Sequence, residues 1–152
     1  MSAAYFNQYL ANQVNTASPE ELMMMLYNGA IRFLTEAECA MKEGHVARRC
    51  ELIGKSISII NELDGTLNHD IGGQIATNLD ALYTHMNREL LLANLKDDSA
   101  RLTQVKQLLI GLRDTWMQAI EQVHAELVAG GNGKKRPVLE DADGSQSRSA
   151  SL

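Results

Sequence analysis

The sequence predicts an all-α fold, an antiparallel up-down four-helix bundle, on three observations. Apolar residues recur at steps of three and four along most of the chain, and no stretch sustains strand alternation. The only two prolines, Pro19 and Pro137, bracket this periodic region. The breaks between periodic segments are short, as between antiparallel neighbours in a bundle. The 152 residues suit one domain, at about 100–150 residues per domain. They divide into an N-terminal arm (1–17), the bundle (18–129) and a C-terminal tail (130–152).

The first helix opens at Ser18-Pro19-Glu20-Glu21. Ser18 can accept from the first free N–H groups, Pro19 is pre-set for the first helical position, and Glu21 completes a capping box. Leu22, Leu26, Ala30, Phe33, Ala37 and Ala40 mark its inner stripe, and Gly44 stands where a left-handed residue ends a helix. A second helix is expected from about Val46 to Asn68, lined by Val46, Cys50, Ile53, Ile57, Ile60 and Leu67, with Leu63 beside them. His69-Asp70-Ile71-Gly72-Gly73 reads as a break. Ile75, Leu79, Leu82, Met86, Leu90 and Ala93 then mark a third helix. Asp97 or Asp98 caps a fourth, striped by Leu102, Val105, Leu109, Leu112, Trp116, Ala119, Val123 and Leu127. Ahead of the bundle, Tyr5, Phe6, Tyr9 and Leu10 make an apolar arm or short helix. Behind it, Gly130-Gly131-Asn132-Gly133, a Lys134-Lys135-Arg136 cluster and a Ser-rich end read as a disordered tail.

Charge narrows the function. The net formal charge is −5, and residues 1–129 carry 10 basic against 16 acidic side chains. An acidic body with no basic stripe repels a phosphate backbone, so nucleic acid is not an expected partner. The longest apolar run, Leu22 to Tyr27, is far short of the ~20 residues that span a bilayer. The first residues lack the basic and apolar regions of a secretory signal. Two cysteines, Cys39 and Cys50, do not make a disulfide scaffold. Equidistant from Gly44, they read as isolated thiols of a cytoplasmic protein.

Apolar surface exceeds what a bundle core can hide. Leu22-Met23-Met24-Met25-Leu26-Tyr27 covers every direction around a helix axis, at about 100° per residue, whereas a bundle helix needs an arc little over 100° wide. Ile57-Ser58-Ile59-Ile60, Leu90-Leu91-Leu92 and Leu108-Leu109-Ile110 repeat the excess. Recurrence on all four helices points to a partner-binding surface, for which flexible Met side chains are well suited.

Catalytic chemistry is hard to find. Glu121 and His124 supply half of a di-iron bundle pattern, but the second Glu-x-x-His is absent. His45, His69 and His85 follow Lys42, Thr66 and Leu82 at that spacing. No phosphate-binding glycine loop or paired nucleophile and base occurs. The expectation is a non-enzyme without metal or cofactor.

Local strings go further. Asn12-Gln13-Val14-Asn15-Thr16-Ala17-Ser18-Pro19-Glu20-Glu21-Leu22 and Met25-Leu26-Tyr27-Asn28-Gly29-Ala30-Ile31-Arg32-Phe33-Leu34 resemble the start of the FliS family, the flagellin-specific export chaperones of bacteria. The resemblance continues through Ile59-Ile60-Asn61-Glu62-Leu63 and Gly72-Gly73-Gln74-Ile75-Ala76-Thr77-Asn78-Leu79. Leu82-Tyr83, Met86, Ala93-Asn94-Leu95 and Leu112-Arg113-Asp114-x-Trp116 extend it. It implies a cytoplasmic bundle that binds the C-terminal, otherwise disordered segment of flagellin, prevents premature polymerisation and helps deliver it to the flagellar type III export gate. It also implies that Tyr5, Tyr9 and Val14 belong to an arm that can cover part of that surface. By the same resemblance, Leu26, Tyr27, Asn28, Ile31, Asn78, Leu79, Tyr83 and Asn94 are candidates for contacting the client or bracing its groove. Asn28 stands where the family often has Asp, and Gln74 where it often has Glu. The alternative reading is a bundle regulating flagellar genes by binding another flagellar factor, such as an anti-sigma factor.

Overall fold

The computed structural model describes residues 17–133. Four helices follow one another: α1 Pro19–Glu43, α2 Val46–Gly65, α3 His69–Lys96 and α4 Ser99–Gly133. They make an all-α four-helix bundle. The expected arm residues 1–16 and tail residues 134–152 lie outside the described residues; α4 continues past Gly130 to Gly133.

The helix ends follow local chemistry. At α1, the Ser18 hydroxyl accepts from the Glu21 N–H at 3.1 Å, and the Glu21 carboxylate accepts from the Ser18 N–H at 2.9 Å. This reciprocal pair satisfies two donors that the helix itself cannot. Gly44 ends α1 at φ 75°. Gly44 N–H donates to the Met41 carbonyl, and His45 N–H to that of Ala40, a Schellman closure that needs a left-handed residue. Asp97 takes the same role after α3 at φ 55°; aspartate tolerates this conformation better than most residues. Asp98, rather than Asp97, caps α4, accepting from the Ala100 N–H at 3.1 Å.

Between α2 and α3 the structure corrects the expected boundaries. α2 stops at Gly65, three residues before Asn68, because Asn68 caps α3 instead. Its side-chain oxygen accepts from the N–H groups of Asp70 and Ile71, both at 3.1 Å. His69–Gly72 is therefore helical rather than a break. The interruption is confined to Gly73, at φ 52° and ψ −124°, a region closed to side-chain-bearing residues.

Side-chain pairs give the direction of each helix. Arg48, early in α2, meets Glu36, late in α1, at 3.0 Å. Arg49 reaches Asn94, late in α3, at 2.9 Å, while Asn87 donates to Asn61 at 2.8 Å. Arg101, early in α4, pairs with Glu89 of α3 at 2.9 Å. Lys106 meets Glu38 at 2.7 Å, and Arg113 meets Asn28 at 3.1 Å. Each pairing runs in opposite chain directions, so neighbours are antiparallel.

The chain forms two compact units, divided after Asp114. In the first, the buried faces are Tyr27, Ala30, Leu34, Ala37 and Ala40 of α1, Leu52, Ile53, Ser56, Ile60 and Leu63 of α2, and Ala76, Tyr83, Met86, Leu90 and Ala93 of α3. Leu102, Val105 and Leu109 of α4 join them. This differs from the expected stripes. On α1 the expected Ala30, Ala37 and Ala40 are buried, but Leu22, Leu26 and Phe33 are half-buried, and Tyr27 and Leu34, each one position further along, face inward with them. Phe33 sits under two cations, with Arg32 at 4.8 Å and Lys55 at 5.4 Å from its ring centre, contacts that favour its half-buried position. Val46 and Cys50 are exposed and Ile57 half-buried; Leu52 and Ser56 face inward instead. The Ser56 hydroxyl donates to the Leu52 carbonyl at 3.0 Å, so its burial leaves no polar atom unmatched. On α3, Ile75 is exposed, with Leu79 and Leu82 half-buried. In the second unit, Ala119, Val123 and Leu127 are exposed, so the expected inner stripe of α4 ends as core before them.

Candidate functional site

The six-residue apolar run of α1 divides sharply. Tyr27 is fully buried, while Leu22, Met23, Met24, Met25 and Leu26 are all half-buried. Six successive helical positions cannot all face one core, and one does. Ile31 lies half-buried a turn further on. The result is an apolar surface over the first turns of α1.

Tyr27 anchors it. Its hydroxyl lies 2.6 Å from that of Tyr83 on α3, a bond buried in the bundle. The two phenols let an aromatic pair span the core with its polar ends satisfied. Burial, followed by the bond to Tyr27, pushes the Tyr83 phenol far above its ordinary value, so it remains neutral. The bond also aligns the early parts of α1 and α3, which run parallel. Leu79, one turn before Tyr83, is half-buried, and Ile71 and Ile75 are 85% and 66% exposed. These large apolar exposures sit on either side of the Gly73 distortion. Sequence periodicity assigned Ile75 to the core; the structure buries its neighbour Ala76 instead.

Polar residues brace this end. Asn28 is exposed and accepts from Arg113, whose guanidinium also meets Asp114 at 3.0 Å. Asn78 is exposed and accepts from Gln74, one turn earlier, at 2.8 Å. Leu26, Tyr27, Asn28, Ile31, Asn78, Leu79 and Tyr83 thus share the half of the bundle built from the early parts of α1 and α3. Asn94 does not. It sits at the other end, where its side-chain and backbone oxygens accept from Arg49, and Arg49 also pairs with Asp97 at 2.8 Å. That cluster ties α2 to the end of α3. Tyr5, Tyr9 and Val14 lie outside the described residues.

Further apolar exposure occurs on α3 and α4. Leu91 and Leu95 are 60% and 80% exposed; of these, Leu91 falls in a sequence run marked by its excess. Leu108 belongs to a second such run and borders a shallow depression of about 410 Å³ with Thr103, Gln104 and Gln107. Near the start of α4, Glu38 holds Lys106 and accepts from the Thr103 hydroxyl at 2.7 Å. Burial alone would raise the Glu38 pKa, but hydrogen bonds from Lys106 and Thr103, with the charges of Lys106 and Lys42, lower it overall.

Among the described residues, no cluster of three or more His, Cys, Asp or Glu could hold a metal ion. No described helix is long and apolar enough to cross a membrane. Cys39 and Cys50 are both free and exposed.

Comparison with known proteins places these features in context. A family model described as flagellar protein FliS matches residues 1–123. A flagellar secretion chaperone FliS from Bacillus subtilis (strain 168) is 39% identical over 116 residues, covering 76% of this chain and 86% of that protein. The protein of that name from Salmonella typhimurium (strain LT2) gives the same identity and coverage. The one from Campylobacter jejuni is 34% identical over 113 residues, 74% of this chain and 88% of its own.

Proposed function

Because the chain belongs to the FliS family, we propose that it is a cytoplasmic flagellar export chaperone whose client is flagellin. The chaperone binds the C-terminal disordered segment of flagellin, keeps it from polymerising early and assists its delivery to the flagellar type III export apparatus. It acts by stoichiometric binding, without catalysis.

The observation that carries this reading is apolar exposure in excess of the core, from Leu22 to Leu26 on α1 and at Ile71 and Ile75 on α3. A disordered segment gains helix by burying its own apolar stripe in such a surface, and this burial offsets the entropy of ordering it. Leu26, Ile31 and Leu79 supply apolar contact, while the three methionines repack to suit the client. Tyr27 and Tyr83 hold α1 and α3 in register beneath it. Asn28 and Asn78 offer polar atoms at its edge, and Asn94 braces α2 against α3. Tyr5, Tyr9 and Val14 act in the arm, and the export gate is a second partner.

Titration of the full chain with its own organism's flagellin tests the proposal. The expected result is a 1:1 complex by calorimetry, with a gain in helical circular dichroism when the isolated C-terminal segment is added. Affinity unchanged by deleting that segment from flagellin would exclude this mode of binding.

A further inference from the structure

The apolar stripe of α4 continues past the core it was expected to serve. In the second compact unit, Trp116 and Ile120 are half-buried, while Val123 and Leu127 are 50% and 67% exposed. Their spacing alternates four, three and four, close on average to the 3.5 residues of a coiled-coil seam. On a helix turning about 100° per residue, the four positions fall within about 60° of one another. Val128, 66% exposed, lies about 100° around the axis from Leu127 and outside this seam. The family match ends at residue 123, so Leu127 lies beyond it.

We infer that this face pairs with the same face of a second copy of the chain, antiparallel, in a weak homodimer. An antiparallel seam sets Trp116 against Leu127 of the second copy and Ile120 against Val123, and two-fold symmetry repeats both layers. The indole thereby meets a smaller side chain, whereas a parallel seam stacks Trp116 on itself. Charge favours the same direction. Residues 115–133 carry two formal charges, Glu121 and Glu126, both negative. Glu121 follows Ile120 by one position and points about 100° away from it. Glu126 flanks the seam, and the antiparallel register brings it beside the small, exposed Ala119 of the second copy. In a parallel seam the two Glu126 carboxylates stand at the same height and repel.

Both helices are formed before they meet, so pairing orders no backbone. The four layers span about 17 Å of helix. That length holds the buried area below the roughly 1,200 Å² of a standard interface, so the dimer is reversible and micromolar or weaker. It uses none of the residues assigned to the client.

Sedimentation velocity of the full chain, diluted through the micromolar range, tests the pairing. The weight-average mass should climb from one chain toward two as concentration rises. Trp116 is the only tryptophan, so its emission should shift to the blue over the same range. Leu127→Asp should weaken association about 10-fold or more. Val128→Asp, equally exposed but off the seam, should leave it unchanged, with circular dichroism checking that both variants remain helical. A monomer throughout, or equal effects of the two substitutions, overturns the inference. Direction is read by mixing Ile120→Cys and Val123→Cys proteins, each also carrying Cys39→Ser and Cys50→Ser. The cross-linked heterodimer should exceed either homodimer; predominant self-linking overturns the antiparallel seam. Emission that ignores concentration but moves on adding the flagellin C-terminal segment assigns the face to the client. The same behaviour on deleting residues 134–152 assigns it to the chain's own tail, and either result overturns the dimer.

Discussion

Replacing one hydroxyl of the Tyr27–Tyr83 pair should cost stability, and replacing both should cost little more. Tyr27 is 0% and Tyr83 3% exposed, with their oxygens 2.6 Å apart. In Tyr83→Phe, the buried Tyr27 hydroxyl loses this partner, a penalty of about 1–2 kcal/mol. Tyr27→Phe strands the Tyr83 hydroxyl in the same way and should cost a similar amount, about 1–2 kcal/mol. At roughly 4 °C per kcal/mol for a chain of this size, the melting temperature should fall by about 4–8 °C in each variant. The double variant leaves no unmatched phenol from this pair, so it should cost no more than about the larger single change, giving a coupling energy of about 1 kcal/mol or more. Urea unfolding of all four proteins by far-ultraviolet circular dichroism measures this cycle. Single costs below about 0.5 kcal/mol, or costs that simply add, would show that the bond does not hold α1 to α3.

Other substitutions probe the ends and sides of the bundle. Ser18→Ala removes the hydroxyl that accepts from the Glu21 N–H and should lower stability by about 1 kcal/mol in chemical unfolding. Gly44→Ala meets no crowding but forces a side chain to φ 75°, so a loss of about 1 kcal/mol is expected from backbone conformation alone. Glu38→Gln weakens the pair with Lys106, whose side chains are 24% and 17% exposed; the expected cost is about 1 kcal/mol at neutral pH. Because the Glu38 pKa is lowered on folding, its stabilisation is present above the ordinary glutamate value of 4.5 and lost as pH falls through the lower one. The variant and wild type should therefore converge in acid. Leu79→Arg places a charge on the half-buried surface of α3 and should weaken flagellin binding about 10-fold or more, with thermal unfolding reporting whether the bundle survives.

The helices and several of their ends were legible locally. Ser18, Pro19 and Glu21 contain a capping box in four residues, and Gly44 closes α1 through bonds to residues just before it. Such motifs depend on atoms a few positions apart, so sequence specifies them directly. The second boundary was less legible because Asn68 could end α2 or begin α3. Its two bonds to the N–H groups of Asp70 and Ile71 make it the beginning of α3.

Sequence by itself determined four helical segments, their antiparallel order and a surplus of apolar side chains. Its family strings also led to the functional reading. Tertiary structure decided which apolar line of each helix faces inward. Periodicity gives angles between positions on one helix, but the direction of the core is set by the neighbouring helices. That is why Tyr27 and Leu34 enter the core while Leu26 and Phe33 remain half-buried, and why Ile75 faces out. The bond from Tyr27 to Tyr83, across 56 residues, exists only once α1 and α3 have come together. No local pattern contains that contact, because it depends on two helices presenting particular faces at the same height.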